Sequence, residues 1–85
     1  MITAVIVDDE KPARDALTNM LKIFCPDVNI IGEADGVETG VEIINKLEPD
    51  TVFLDIQMPD GTGFDLLKEF ASINFKFIFI TAYQE

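Results

Sequence analysis

Carboxylates stand directly after the apolar runs of this 85-residue chain. Ile2 to Val7 stops at Asp8-Asp9-Glu10, and Val52-Phe53-Leu54 stops at Asp55, followed by a loop punctuated by Pro59, Gly61 and Gly63. A further apolar run, Phe75 to Ile80, ends in Thr81. Acids so far apart in sequence share no chemistry unless the fold gathers them. If it does, Asp8, Asp9 and Asp55 repel one another and raise each other's pKa. A hard divalent cation relieves that repulsion. Mg²⁺ takes about six oxygens at roughly 2.0 to 2.1 Å and keeps several waters, so two carboxylates, a backbone carbonyl and a phosphate oxygen would suit it. The bland alternative is that each acid is merely solvated at the end of its strand.

The elements between these residues decide whether they meet. Val52 to Leu54 is continuously apolar, which suits a central parallel strand buried on both faces. Ile2 to Val7 reads as a first strand and Val28 to Ala34 as a more polar second one, interrupted by Gly32 and nearer a sheet edge. Pro12 suits a first helical turn, and Ala13, Ala16, Leu17, Met20, Leu21 and Phe24 follow at helical spacing before Pro26. Asp35 with Glu38 forms a candidate capping box, and Val37, Val41, Ile44 and Leu47 make one face of a second helix that Pro49 ends. Phe64, Leu67 and Phe70 mark a short third helix, and Phe75 to Ile80 a fourth strand. The pattern is βαβαβαβ, an α/β chain of parallel strands with right-handed crossovers and helices on both faces. All strand carboxyl ends then share one rim, where open α/β sheets bind ligands. Asp8, Asp9, Asp55 and Thr81 are expected there together.

Composition narrows the classes. A chain of this length buries about 60 to 65 per cent of its unfolded surface, enough for one small core. A net charge of −10 argues against nucleic acid as a direct partner and for cations or basic proteins. The single cysteine, Cys25, excludes an internal disulfide, and without histidine there is no Cys/His metal site. Cys25 is expected to be a small apolar filler at a helix end. No apolar run is long enough to span a bilayer, and no signal-peptide order is visible at the N-terminus, so no membrane partner and a cytoplasmic location are expected. Residues 1–85 read as a single domain without repeats or linkers. The phenylalanines 64, 70, 75, 77 and 79 read as core, and Met58-Pro59 as a packing residue and a loop former.

Three stretches together carry a resemblance: Ile6-Val7-Asp8-Asp9-Glu10, then Phe53 to Gly61 with Gly63-Phe64, then Ile80-Thr81-Ala82. Lying in order at the carboxyl ends of strands one, three and four, they resemble the CheY-like receiver domain of two-component response regulators. The wording DIQMPDGTGFDLL and TAYQE is also similar to receivers that precede LytTR-type DNA-binding domains. The resemblance implies a flavodoxin-like, doubly wound sheet of order 2-1-3-4. It implies Asp55 as phosphoacceptor for a sensor histidine kinase. Mg²⁺ would be held by Asp9, Asp55 and the backbone carbonyl of Gln57, with Asp8 acting through metal-bound water. Thr81 would be the switch that contacts the phosphate. DNA would be reached only through a separate output domain.

The departures are equally specific. Family members continue into a fourth helix, a fifth strand carrying a site lysine, and a fifth helix, whereas this sequence runs to Glu85, and none of its lysines can be assigned that role. The expectation is the N-terminal two-thirds of a receiver, slow to phosphorylate or an inert fragment. It would self-associate through strand four or through sheet face left bare over strands one and three. Tyr83 falls too early to be the switch aromatic. A Mg²⁺-dependent hydrolase with an aspartate nucleophile is the alternative, but such enzymes want an acid two residues beyond the nucleophile, where this chain has Gln57. The reading is therefore of a signalling domain and not an enzyme.

Overall fold

A computed structural model describes residues 1–80. Its elements follow in the order β1 (Ile2–Val7), α1 (Lys11–Phe24), β2 (Val28–Ala34), α2 (Val37–Leu47), β3 (Thr51–Asp55), β4 (Gln57–Met58), β5 (Gly61–Thr62), α3 (Gly63–Lys68) and β6 (Lys76–Ile80). Four of the strands form a sheet of order β2-β1-β3-β6, parallel throughout. This is the doubly wound, flavodoxin-like order that the resemblance implied, with the parallel strands expected from alternation of strands and helices. The stretch read as a plain loop after Asp55 instead folds into the two-residue hairpin β4-β5.

The continuous apolar runs are explained by burial on both faces. Val5, Val7, Val52 and Leu54 join Ile44 and Leu66 in one core under α2 and α3. Ala4, Ile6 and Phe53 face the other way and pack with Leu21 of α1. Alternate residues of one strand thus feed opposite cores, so no polar position could be tolerated between them. Met58, brought back by the hairpin, is buried in the first core. Gly32 lies where the β1-β2 register slips, between Ala4 and Val5, and the weak look of β2 in sequence reflects that bulge.

At the amino end of the sheet, Thr3 and Asp50 lock β1 to the turn entering β3. The Thr3 N–H and hydroxyl both donate to the Asp50 carboxylate, at 2.9 and 3.0 Å, and the Asp50 N–H donates back to the hydroxyl. These bonds, from the Thr3 backbone first, hold the Asp50 carboxyl below its usual range.

Several sequence expectations change. The N-cap of α2 is Gly36, not Asp35, and no side chain from its own turn caps it. The carboxylate of Asp60, 23 residues on, takes the Val37 and Glu38 N–H groups at 2.8 and 3.2 Å. Asp35 pairs instead with the Thr39 hydroxyl. The full capping box belongs to α3, where Thr62 and Asp65 bond reciprocally. Cys25 is exposed, so it fills nothing. Phe64 and Phe77 are 54% and 40% exposed and are not core, although Phe64 still leans on Phe79 with ring centroids 4.8 Å apart.

The bare apolar surface lies only partly where expected. Phe77 and Ile78 of β6 are exposed as anticipated for strand four, but β1 beyond Ile2 and β3 are covered, and Met20, Ile23 and Phe24 of α1 are exposed instead. The reason is that α1 sits over the β1 side of the sheet, and among the described residues β6 pairs only with β3.

The Asp60 cap explains Gly36, because a Cβ there would lie 2.9 Å from the Asp60 carboxylate and displace it. Gly36→Ala and Asp60→Ala are each expected to lower the thermal midpoint, and the double variant to lower it by less than the sum, since both remove the same two bonds. A calorimetric double-mutant cycle measures this, and additive losses would show that Asp60 does not anchor α2.

Candidate functional site

Strand register builds the site. Val7 lies opposite Leu54 in the β1-β3 pair, so the next residues, Asp8 and Asp55, come level at the carboxyl rim. The rim is where apolar packing stops, and the chain leaves β1 and β3 through acids. Asp8 is buried, Asp55 half-buried and Asp9 exposed. Carboxylate oxygens of all three lie within 4.8 Å of one another. The fold therefore gathers the three acids at one place on the rim. Gln57 stands two residues beyond Asp55 at the start of the hairpin, and Thr81 lies outside the described residues.

Each acid is held by the local fold. The Asp8 N–H donates to the Ala34 carbonyl of β2 at 3.0 Å, and its carboxylate accepts from the Glu10 N–H at 2.9 Å, forming the turn into α1. Asp55 is fixed from behind by Gly63. The Gly63 N–H donates to the Ile56 carbonyl at 2.8 Å, and a Cβ at 63 would fall 2.7 Å from the Asp55 carbonyl and 2.8 Å from the Phe79 ring. Only glycine lets α3 start so close to the strand end. Asp60, in the same loop, clamps it to α2.

Burial raises the Asp55 carboxyl above its ordinary value, the charge of Asp8 adds to this, and the Asp9 carboxyl adds a little more. The backbone N–H groups of Gln57 and Ile56 oppose the rise. Asp55 therefore carries a charge that its surroundings do not welcome until a cation or a positive group arrives. The donor set is all oxygen, hard and anionic, and its span leaves room for a small ion between carboxylates that need move little. Those are the terms of Mg²⁺.

Asp9, Gln57 and Pro59 are exposed at the rim. A cleft of about 300 Å³ is found at the other end of the sheet, lined by residues including Asn45, Asp50, Ser72 and Phe75, away from the acids.

Two contributors escaped the sequence reading. Arg14, the sole arginine, donates to the Asp8 carbonyl. Asp60 carries no signal in the sequence, since a cap supplied from 23 residues away leaves no local pattern.

Comparison with known proteins agrees with this architecture. Residues 4–85 match the response regulator receiver domain. The chain is 43% identical over its whole length to an uncharacterized response regulatory protein of Vibrio vulnificus, of which it covers 35%. It is 48% identical over 66 residues, 78% of the chain, to the sensory transduction protein LytT of Bacillus anthracis, of which it covers 26%. Among solved structures, a DNA-binding response regulator of the LuxR family from Staphylococcus aureus superposes with a TM-score of 0.86 at 28% identity, covering 100% of this chain and 72% of that one. The chain belongs to the response regulator receiver domain family, and it spans about a third of the length of the curated relatives it matches.

The raised Asp55 carboxyl has a signed consequence. Below the unfolded-state value the group is protonated in both states and neutral to stability. As pH climbs through the window up to the raised folded value, folding is increasingly penalised, and the penalty is complete above it. Asp55→Asn is therefore expected to raise the metal-free thermal midpoint at pH 7 by roughly 1 to 3 °C, the effect of a few tenths of a kcal/mol after solvent screening. Well below the ordinary carboxyl range of about pH 4, the gain should vanish. Calorimetry in chelator measures it, and no gain at pH 7 would show that the folded surroundings do not penalise the Asp55 charge.

Proposed function

We propose that the chain is a phosphoacceptor receiver, accepting a phosphoryl group from the phosphohistidine of a sensor kinase onto Asp55. The observation that carries this is the gathering of Asp8, Asp9 and Asp55 carboxylates within 4.8 Å at an open rim, with Asp55 half-buried between them. One Asp55 oxygen attacks phosphorus as the phosphorus–nitrogen bond of the donor breaks. The imidazole leaves with that electron pair, and an acyl phosphate remains on Asp55. Asp9, Asp55 and the Gln57 carbonyl would hold Mg²⁺, with Asp8 reached through water. When bound, the ion neutralises charge on the transferring group. The chain's own part is to present Asp55 at a fixed place and direction, which the β1-β3 register and the Gly63 contact do, so that in-line approach is from the open rim. Thr81 would bond a phosphate oxygen. Residues 1–85 supply the N-terminal two-thirds of a receiver domain that works in the cytoplasm and performs no turnover beyond its own acyl phosphate.

The likeness to a sensory transduction protein and to a DNA-binding response regulator supports a role in controlling transcription through a further domain of a longer protein. With a net charge of −10 the receiver itself is a poor DNA ligand. Incubated with acetyl phosphate and Mg²⁺, the wild type is expected to gain slowly the mass of one phosphoryl group, and Asp55→Asn none. Excess Mg²⁺ should raise the wild-type thermal midpoint because it binds the folded form alone. Mass spectrometry showing equal labelling of both proteins would remove Asp55 from the role.

We also propose that the 85-residue chain self-associates. Support comes from β6, which pairs on one side only among the described residues, and from the exposed Ile78, Met20, Ile23 and Phe24. Lys76 is the only charge on that strand, and one charge is a weak guard against edge pairing. Sedimentation velocity at high micromolar concentration should show dimers or larger species, and a compact monomer would overturn the proposal.

A further inference from the structure

We infer that Arg14 is a positioning residue for the acidic rim, holding the turn that carries Asp8 and Asp9. Its side chain is only 15% exposed. One terminal N–H donates to the Asp8 backbone carbonyl at 2.6 Å, and Nε–H donates to the Glu33 carboxylate at 2.8 Å. The guanidinium thus joins three elements, the end of β1, the first turns of α1 and the end of β2. The Arg14 carbonyl accepts from the Thr18 hydroxyl at 2.9 Å, and its N–H donates to the Glu10 carbonyl at 3.1 Å. Asp8 is consequently tied at its N–H by Ala34, at its carboxylate by Glu10 and at its carbonyl by Arg14. The last bond fixes the plane of the Asp8-Asp9 peptide, and with it the direction in which Asp9 leaves.

A planar guanidinium suits this task because two of its donors point in fixed directions at once, and a lysine ammonium cannot reproduce that fork. Acid repulsion at the rim would otherwise turn Asp9 outward into water. The glutamate partner keeps the guanidinium from swinging round onto the acids themselves, which would compete with a cation for the same oxygens.

The inference rests on the receiver reading, and the sign of one measurement separates its possible bases. If Arg14 acted only as a nearby positive charge, removing it would tighten Mg²⁺ binding by relieving repulsion. If it positions the turn, removing it weakens binding even though the site becomes more negative. Isothermal titration of the 85-residue chain with Mg²⁺, at a temperature where circular dichroism shows each variant folded, is expected to give about tenfold weaker binding for Arg14→Ala, the scale found when a group that orients a metal ligand is lost. Arg14→Lys should be weakened nearly as much. Glu33→Gln, whose amide oxygen can still accept from the Arg14 Nε–H and leaves the Asp8 bond in place, should stay close to wild type. In parallel, hydrogen exchange of the Glu10 N–H should quicken in Arg14→Ala relative to β3 amides. Unchanged or tighter binding in Arg14→Ala, or full recovery in Arg14→Lys, would overturn the inference alone. No Mg²⁺ binding by the wild type would overturn the receiver-site reading and this inference with it.

Discussion

Val7 opposite Leu54 is the pairing on which everything at the rim depends. Parallel strands in register must end together, so the acids that follow each strand are delivered to one place whatever their charges prefer. The register cannot slip to relieve them. A one-residue shift would move every inward side chain to the wrong face, and Val5, Ile6, Val7, Val52 and Leu54 have no exposed surface left. Packing on two faces therefore imposes crowding at the ends, and the Asp55 carboxyl is raised by its burial first and by the neighbouring Asp8 charge second. This is how a stable core can hold an unfavourable arrangement of charges at its rim.

The loop after Asp55 is held differently. It is largely exposed, and its order comes from directed polar bonds: Asp60 across to α2, Thr62 with Asp65 at the head of α3, and the Gly63 N–H back to Ile56. Asp60 and Asp65 both have carboxyls held below the usual range, by the Val37 and the Thr62 N–H respectively. Acids therefore play opposite parts within a few residues. Those aimed at backbone N–H groups stabilise their own ionised state and the loop, whereas those aimed at one another store repulsion. A receiver needs both, since phosphoryl transfer asks for a fixed nucleophile in a site that gains from incoming positive charge.

Apolar surface follows the same division between the centre and edges of the sheet. β1 and β3 are sealed between two cores, while β6 and the outer face of α1 leave Ile78, Met20, Ile23 and Phe24 in contact with water. The second core is the thinner of the two, with four buried residues among those described, and α1 adds to it the buried Leu21 and the partly buried Leu17. Helical spacing in α1 was plain in sequence, but spacing says which residues share a face and not how much of that face finds a partner.

By itself the sequence determined the element order, the parallel sheet and the acids that would meet, because those follow from local periodicity and from the rule that alternating strands and helices share one carboxyl rim. Asp8, Asp9 and Asp55 were legible on that ground. The tertiary structure alone decided which residues support them. Asp60 caps a helix that begins 23 residues earlier, Arg14 reaches the Asp8 carbonyl and Glu33 together, and Gly63 is small because the Asp55 carbonyl lies against it. It also decided that Phe64 and Phe77 face water and that Asp35 does not cap α2. The physical reason is common to all of these. Periodicity is a property of neighbours along the chain, whereas a long-range hydrogen bond, a close backbone approach or an uncovered edge exists only once distant segments have been packed at definite distances.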